Sequence, residues 1–414
     1  MTVSASPRCR LSVSLLVKLL IIVVTLTLAG FTTAQGSEKD LAQRSHQIKV
    51  GAERIHLYID ALRDKTVGLV VNQSSIVNDE HLVDVLLGHD IDIRVLFAPE
   101  HGVRGDKGAG ESIQSGVDAK TGVPIQSIYG VNKTPPDTVM SQLDIIVFDI
   151  QDVGTRFYTY ISSMHYMMQA AAKHGAQFIV LDRPNPNGMH IDGPVLNSKF
   201  RSFVGMHPIP VLHGMTVGEL ALMIKGENWL ELDDQQRLDL HVVPVEGYKK
   251  RMHYSLPIAP SPNLPNDVAV QLYPSLCFFE GTAVSVGRGT DYPFQQYGHH
   301  QVKLGKHSFV PEARPEAAPS PKLVEKTVFG VDMRNSTMEG LSLTPLIKAY
   351  ELFRNAGLQR KFFTAPDFFD KLAGTDQLRI NIMSGKTENE IRKGWQSQLE
   401  TFEKFRTPYL LYAE

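Results

Sequence analysis

The segment on which the fold turns is Ile145-Ile-Val-Phe-Asp-Ile-Gln-Asp-Val-Gly-Thr-Arg156, continued through Phe157–Lys173 and Gly175 to the run Phe178–Leu181. Ile145–Phe148 has no polar alternation, which is the pattern of a strand buried on both faces. Phe157–Lys173 reads as a helix, with Gly175 placed to supply a left-handed C-cap. Phe178–Leu181 is a second buried strand, and two strands joined by so long a crossover must pair in parallel. The same punctuation extends in both directions. Apolar runs rich in Val and Ile recur at Thr66–Val71, Ile91–Phe97, Ile209–Leu212 and Leu238–Val245. Asn78–Leu87 carries a helical apolar face, and Thr216 with Glu219 forms a T-x-x-E capping box opening a helix through Ile224. This alternation predicts a doubly wound parallel α/β domain over residues 40–245.

Beyond Val245 the pattern changes. Pro257, Pro260, Pro262, Pro265 and Pro274 make Ser255–Pro274 read as an extended connection. A possible strand at Thr282–Ser285, a proline-rich stretch at Pro311–Pro321, and helices near Leu343–Ala356 and Glu388–Phe405 predict a second, smaller α/β domain over residues 246–414. No repeat of fixed period is present.

The 414 residues are 43% hydrophobic and 21% charged, an ordinary globular composition that excludes disorder and coiled coil. A net charge of −2 provides no basic field for nucleic acid. Cys9 and Cys277 are the only cysteines, so neither a disulfide framework nor a cysteine metal site can be built. Residues 1–34 combine Arg8, Arg10 and Lys18 with an apolar run from Leu19 to Leu28 and the small-residue stretch Thr32-Thr33-Ala34, and hold no acidic residue. That is the layout of a signal peptide cleaved after Ala34. The run is shorter than the roughly 20 residues that span a bilayer, although Leu11–Ala29 read as a whole is the alternative anchor. Cleavage predicts an exported protein, periplasmic or secreted, without stable membrane insertion.

In open parallel sheets the ligand lies beyond the carboxyl ends of the strands, and there the sequence concentrates its chemistry. Asn72 follows the first run. Glu100, His101 and Arg104 follow the second, Asp149, Asp152 and Arg156 the third, Asp182, Arg183 and Asn185 the fourth, and His213 the fifth. Five such ends form a pocket for a polar organic substrate. Glu100, directly after a buried strand and next to Pro99, is the first candidate for a partly buried general acid. Asp149 and Asp152 are further carboxylate candidates, with Glu280 reaching in from the second domain. Tyr158 stands beside them, where packing competes with a binding role.

Cofactor signatures fail. Gly105-Asp-Lys-Gly108-Ala-Gly110 has the wrong glycine order for a dinucleotide fingerprint, and neither a P-loop nor a G-x-S-x-G elbow occurs. His299, His300 and His307 read as a solvated loop, so no metal is expected. What remains is carboxylate chemistry. A protein that captures its ligand in the same cleft without cleaving it is the alternative, and an esterase or amidase is disfavoured by the missing elbow and metal set.

Four stretches resemble a known family: Phe97-Ala-Pro-Glu-His-Gly-Val-Arg-Gly105, Phe148-Asp-Ile-Gln-Asp-Val-Gly-Thr-Arg-Phe-Tyr-Thr-Tyr160, Leu181-Asp-Arg-Pro-Asn-Pro186, and Phe279-Glu-Gly-Thr282 with Ser285-Val-Gly-Arg-Gly-Thr290. They are similar to the bacterial exo-β-N-acetylmuramidases of NamZ type, from about Thr66 to the C-terminus. The resemblance implies a Rossmann-like domain, a smaller C-terminal domain closing the active-site cleft, and no nucleotide cofactor. It also implies release of N-acetylmuramic acid (MurNAc) from the non-reducing end of peptidoglycan fragments such as MurNAc-GlcNAc. By the same resemblance, the alternative binding protein would hold a muropeptide or sugar. The family's proposed catalytic glutamate falls at Glu100. MurNAc carries a lactyl carboxylate, so one of Arg104, Arg156, Arg183 and Arg288 is expected to read it.

Overall fold

Seven strands hydrogen-bond into one sheet: β1 (Thr66–Val71), β2 (Asp92–Ala98), β3 (Gly116–Val117), β4 (Pro124–Ser127), β5 (Ile145–Asp149), β6 (Gln177–Leu181) and β7 (Leu240–Val243). In the computed structural model, which describes residues 1–2, 48–104 and 115–414, their spatial order is β7-β6-β5-β1-β2-β4-β3. Every pairing is parallel except that of β3 with β4. The leader read over residues 1–34, apart from Met1 and Thr2, lies outside the described residues, as does Gly105–Gly110.

The continuous apolar runs are explained by two cores, one on each face. Val67, Leu69 and Val71 of β1 pack with Leu82, Val83 and Leu86 of helix α1 (Leu82–Gly88). Val70 points the other way, into a core with Phe97, Phe148, Phe178 and the long helix α2 (Tyr160–His174). On that face a Cβ at Gly68 would lie 2.8 Å from the Phe97 and Leu143 side chains, so a hydrogen there is what lets Phe97 cross β1. Helix α2 buries Ile161, Met164, Met167 and Met168, each contributing about 1.5–3 kcal/mol. It ends at Gly175 with φ 71°, as its sequence requires. Helix α3 (Val217–Gly226) opens with both halves of the Thr216/Glu219 capping box formed.

The chain runs β1–α1–β2 in one direction across the sheet and β5–α2–β6–α3–β7 in the other. The reversal lies between neighbours β1 and β5, so the crevice of the doubly wound fold opens at Asn72 and Asp149–Asp152.

Several expectations need correction, among them the strand at Thr282–Ser285, where only an isolated bridge from Ser285 to Gly298 forms. Ile209–Leu212 is not a strand of the sheet: Leu212–His213 pairs antiparallel with Ile191–Asp192, and Arg156 donates its backbone N–H to Val211. The run is apolar because it is buried under the strand ends. The proline-rich connection stops at Asn266, whose side chain caps helix α4 (Asp267–Leu276), and Pro274 is accommodated in its last turn.

Past α4 come a short 3₁₀ turn (Cys277–Gly281) and a three-stranded antiparallel sheet of β8 (Gln296–His299), β9 (His307–Phe309) and β10 (Val328–Asp332), with β10 in the middle. Five helices follow: α5 (Thr344–Asn355), α6 (Pro366–Ala373), α7 (Gln377–Met383), α8 (Glu388–Lys393) and α9 (Gln396–Arg406). The helix expected over Glu388–Phe405 is thus two, broken at Gly394–Trp395. Lys49–Glu414 is one compact unit, and the core on the α2 face runs without interruption into the α4–α9 region. No helix among the described residues is long and apolar enough to cross a membrane.

Candidate active site

Strand β2 ends in Pro99-Glu100-His101-Gly102, a turn closed by the Gly102 N–H on the Pro99 carbonyl at 3.1 Å. His101 and Gly102 both take left-handed backbone, with φ 72° and 79°. For His101 this costs on the order of 1 kcal/mol, a strain typical of functional turns. Glu100 is thereby held half-buried beside three hydroxyls. Tyr129 donates to Oε1 at 2.8 Å, Thr159 to Oε2 at 3.1 Å, and Tyr160 to the backbone carbonyl at 3.3 Å. Burial, followed by the Glu100 charge, pushes the Tyr129 phenol far above its ordinary range, so it stays a neutral donor.

The cavity at Glu100 is completed by Phe157, Tyr158, Asn263, Tyr273, Arg288 and Phe294. Phe157-Tyr158-Thr159, expected to open the helix, instead precedes α2 and crosses the strand ends. Tyr158 anchors there by donating to Pro260 at 2.8 Å and meets Tyr160 edge-to-face at 5.0 Å. Arg288 is held from two sides. Its Nε donates to Glu280 Oε1 at 2.6 Å, and its guanidinium lies 4.9 Å from the centroid of the Phe294 ring. Phe294 itself adopts φ 55°, a strained value for a bulky residue. Lys322 braces the same carboxylate at 3.6 Å and donates to the carbonyls of Phe279, Glu280 and Thr282. Burial disfavours the Glu280 charge, but Arg288 and Lys322 outweigh it and the carboxyl lies below its ordinary value.

The three other carboxylates read as candidates have different surroundings. Asp149 is fully buried and gripped by Arg183 in a fork of 2.6 and 2.9 Å. Glu280 is committed to Arg288 and Lys322. Asp152 is buried with Oδ1 accepting the Gly154 N–H at 2.6 Å and Oδ2 without a hydrogen-bond partner among the described residues. Burial drives it up to about 7. On the neighbouring strand end, Asn72 accepts from the Ser74 N–H at 2.9 Å, while its Nδ2, next to the Tyr160 hydroxyl, makes no hydrogen bond of acceptable geometry among the described residues.

The remaining expected residues lie away from this cavity. Arg104 forks onto Asp118 at 2.9 and 2.8 Å. Arg156 is wholly buried, donating to the carbonyls of Pro194, Ile209 and Leu372, and burial without a carboxylate lowers it to about 9. Asp182 accepts from Thr216, Tyr412 and the N–H groups of Gly218 and Arg183. Asn185 shapes a turn through Met215 and Asn187. His213 is buried under the misread Ile209–Leu212 run, and burial lowers it to about 3. No group of metal-ligating side chains converges among the described residues. Sequence reading passed over Tyr129, Thr159, Asn263, Tyr273 and Phe294. Tyr129 follows β4, a four-residue strand too polar to be recognised, and the others reach the site only through the fold.

With this geometry in place, comparison with known proteins is informative. The family models described as exo-β-N-acetylmuramidase NamZ, N-terminal and C-terminal, match residues 67–268 and 271–412. The chain belongs to this family. It is 36% identical to the peptidoglycan β-N-acetylmuramidase NamZ of Bacillus subtilis (strain 168), over 92% of this chain and 95% of that protein. Two crystal structures of DUF1343 family proteins from Bacteroides fragilis superpose with TM-scores of 0.78 and 0.76, at 41% and 29% identity. Each alignment covers 89% of this chain and 99% of the other. The chain is a glycoside hydrolase, which sets aside the binding-protein and esterase readings.

Proposed function

We propose that this hydrolase is exo-acting and removes MurNAc from the non-reducing end of peptidoglycan fragments such as MurNAc-GlcNAc, with Glu100 as general acid and then base. The observation that carries this reading is a single cavity lined by both Glu100 and Arg288. A glycosidase needs a carboxyl that can protonate the glycosidic oxygen, and Glu100 sits at the strand end beside the fold's crevice with donors fixing both of its oxygens. A muramic acid differs from other amino sugars by its lactyl carboxylate. Of the four arginines in the matched stretches, Arg104 and Arg183 are spent on aspartates and Arg156 on backbone carbonyls. Arg288 lines the cavity, among the described residues only its Nε is committed to Glu280, and a guanidinium fork braced beside an aromatic ring suits a carboxylate. Phe157, Tyr158 and Tyr273 supply apolar wall for the sugar ring.

Export to the periplasm or the medium is part of the same proposal. It is supported by the composition of residues 1–34 and by the location of the polymer.

The test is Glu100→Gln on a chromogenic muramide and on MurNAc-GlcNAc. Release of the monosaccharide should vanish while the circular dichroism spectrum and melting temperature stay unchanged. Near-normal turnover would overturn the assignment.

A further inference from the structure

The B. subtilis relative's name specifies the bond cut but not what attacks the anomeric carbon. A second carboxylate 5–5.5 Å from the acid would serve as nucleophile, and one at 6.5–9.5 Å would activate water. Of the candidates, Asp149 and Glu280 have their oxygens turned onto cations and are poor in both roles. Asp152 has one oxygen unspent, yet the residue is only 6% exposed, a setting unlike that of a group that must activate bulk water. Asn72, which is fully buried on the adjacent strand end, has its Nδ2 without a hydrogen-bond partner among the described residues. Ser74 ties the two strand ends together, its hydroxyl donating to Asn72 Oδ1 at 2.5 Å and accepting the Gln151 N–H at 2.9 Å. Tyr160, whose hydroxyl lies beside the Asn72 amide, donates to the carbonyl of Glu100 at 3.3 Å, which sets Asn72 next to the acid's own turn.

An acceptor and a donor left over together, in a place that excludes water, call for a neutral ligand group carrying one N–H and one carbonyl. A secondary amide is such a group, and the 2-acetamido substituent of MurNAc is one. We propose that Asp152 Oδ2 accepts the N–H of the 2-acetamido group and Asn72 Nδ2 donates to its carbonyl, so that this carbonyl oxygen attacks the anomeric carbon. The inference rests on the function proposed above and deepens it.

As the carbonyl oxygen bonds to C1, the bond from C1 to the leaving oxygen breaks with its electron pair, and the Glu100 carboxylic acid gives that oxygen its proton. The positive charge developing on the amide nitrogen is met by the Asp152 carboxylate. Water then adds to C1, the C1–carbonyl oxygen bond breaks to restore the acetamide, and the Glu100 carboxylate takes the proton. The product keeps the β configuration. Asp152 stays ionised at the moment of attack because the positive charge is created against it.

The experiment uses the full chain, a chromogenic muramide and MurNAc-GlcNAc. Proton NMR of the first product should show β-MurNAc before mutarotation. Asp152→Asn, which preserves size, should lower kcat roughly 10²–10⁴-fold, the usual worth of a group acting on a proton or charge in the transition state, with KM little changed. A thiazoline analogue of MurNAc, which imitates the cyclised intermediate, should inhibit the unsubstituted protein strongly and Asp152→Asn weakly. First appearance of the α anomer overturns the inference alone, as does wild-type kcat in Asp152→Asn. Failure of the unsubstituted protein to release any sugar overturns the proposed substrate and the inference with it. The anomer is read on the unsubstituted protein, so a misfolded variant does not remove the test.

Discussion

The carboxyl end of β6 and the carboxyl ends of β1 and β5 carry the same kinds of residue and use them in opposite ways. After β6, Asp182 spends both oxygens, taking the Thr216 hydroxyl at 2.7 Å, the Tyr412 hydroxyl at 2.6 Å and two backbone N–H groups. Arg183 is forked onto Asp149, and Asn185 bridges two loops. After β1 and β5, several buried polar atoms have no hydrogen-bond partner among the described residues: Asn72 Nδ2, Gln73 Oε1, Gln151 Oε1, Asp152 Oδ2 and Thr155 Oγ1, as does Asn263 Oδ1, which lines the cavity. Buried polar groups are nearly always satisfied, so a cluster of unsatisfied ones marks where a ligand completes the set. A polar residue at a strand end is therefore ambiguous until its bonds are counted.

The largest expected effect separates the two ends by what they lose. Glu100→Gln should cut turnover by roughly 10²–10⁴-fold and leave the melting temperature unchanged. Asp149→Asn should do the reverse. It strands the buried Arg183 charge, and breaking such a pair costs about 3–5 kcal/mol, read as a lower urea midpoint with kcat intact in whatever fraction remains folded. Asp182→Asn should be milder, about 1–3 kcal/mol, because the new amide N–H₂ must face donors from Thr216 and Tyr412. If Asp182→Asn abolished turnover without moving stability, the division between a closed end and an open end would be wrong.

Much of this was legible in the chain, and the limits have physical causes. Thr66–Val71 and Ile145–Phe148 could be read because both faces are buried and leave no alternation. β4 could not, since it is only four residues long, mostly part-exposed, and mixes polar with apolar. Ile209–Leu212 has the composition of a central strand, but strand pairing is decided by a distant partner, here Ile191–Asp192. Glu100 was legible from its position after a buried strand. The choice among four arginines was not, because Asp118, the three carbonyls around Arg156, and Glu280 with Phe294 are brought in from elsewhere in the chain by the fold.

The last expected effect has the opposite sign. Asp152 is driven by burial from an ordinary 3.8 up to about 7, against the two N–H groups of Val153 and Gly154 that favour its charge. Below pH 4 the carboxyl is protonated in both the folded and unfolded chain. Between about pH 4 and 7 the unfolded chain gives up this proton while the folded protein keeps it, so the folded state binds more protons and stability falls as pH rises. Above pH 7 the loss is complete. An amide in place of this carboxyl titrates in neither state, so the melting temperature of Asp152→Asn, relative to the unsubstituted protein, should climb across that window and then level off. The variant would be more stable at pH 8 and less active, a trade expected where a buried charge is kept for a ligand and not for the fold. Paired thermal melts at pH 4.5, 6 and 8 measure it. A difference that stays flat with pH would mean that Asp152 is already satisfied in the folded protein and belongs with Asp182, at the closed end of the comparison.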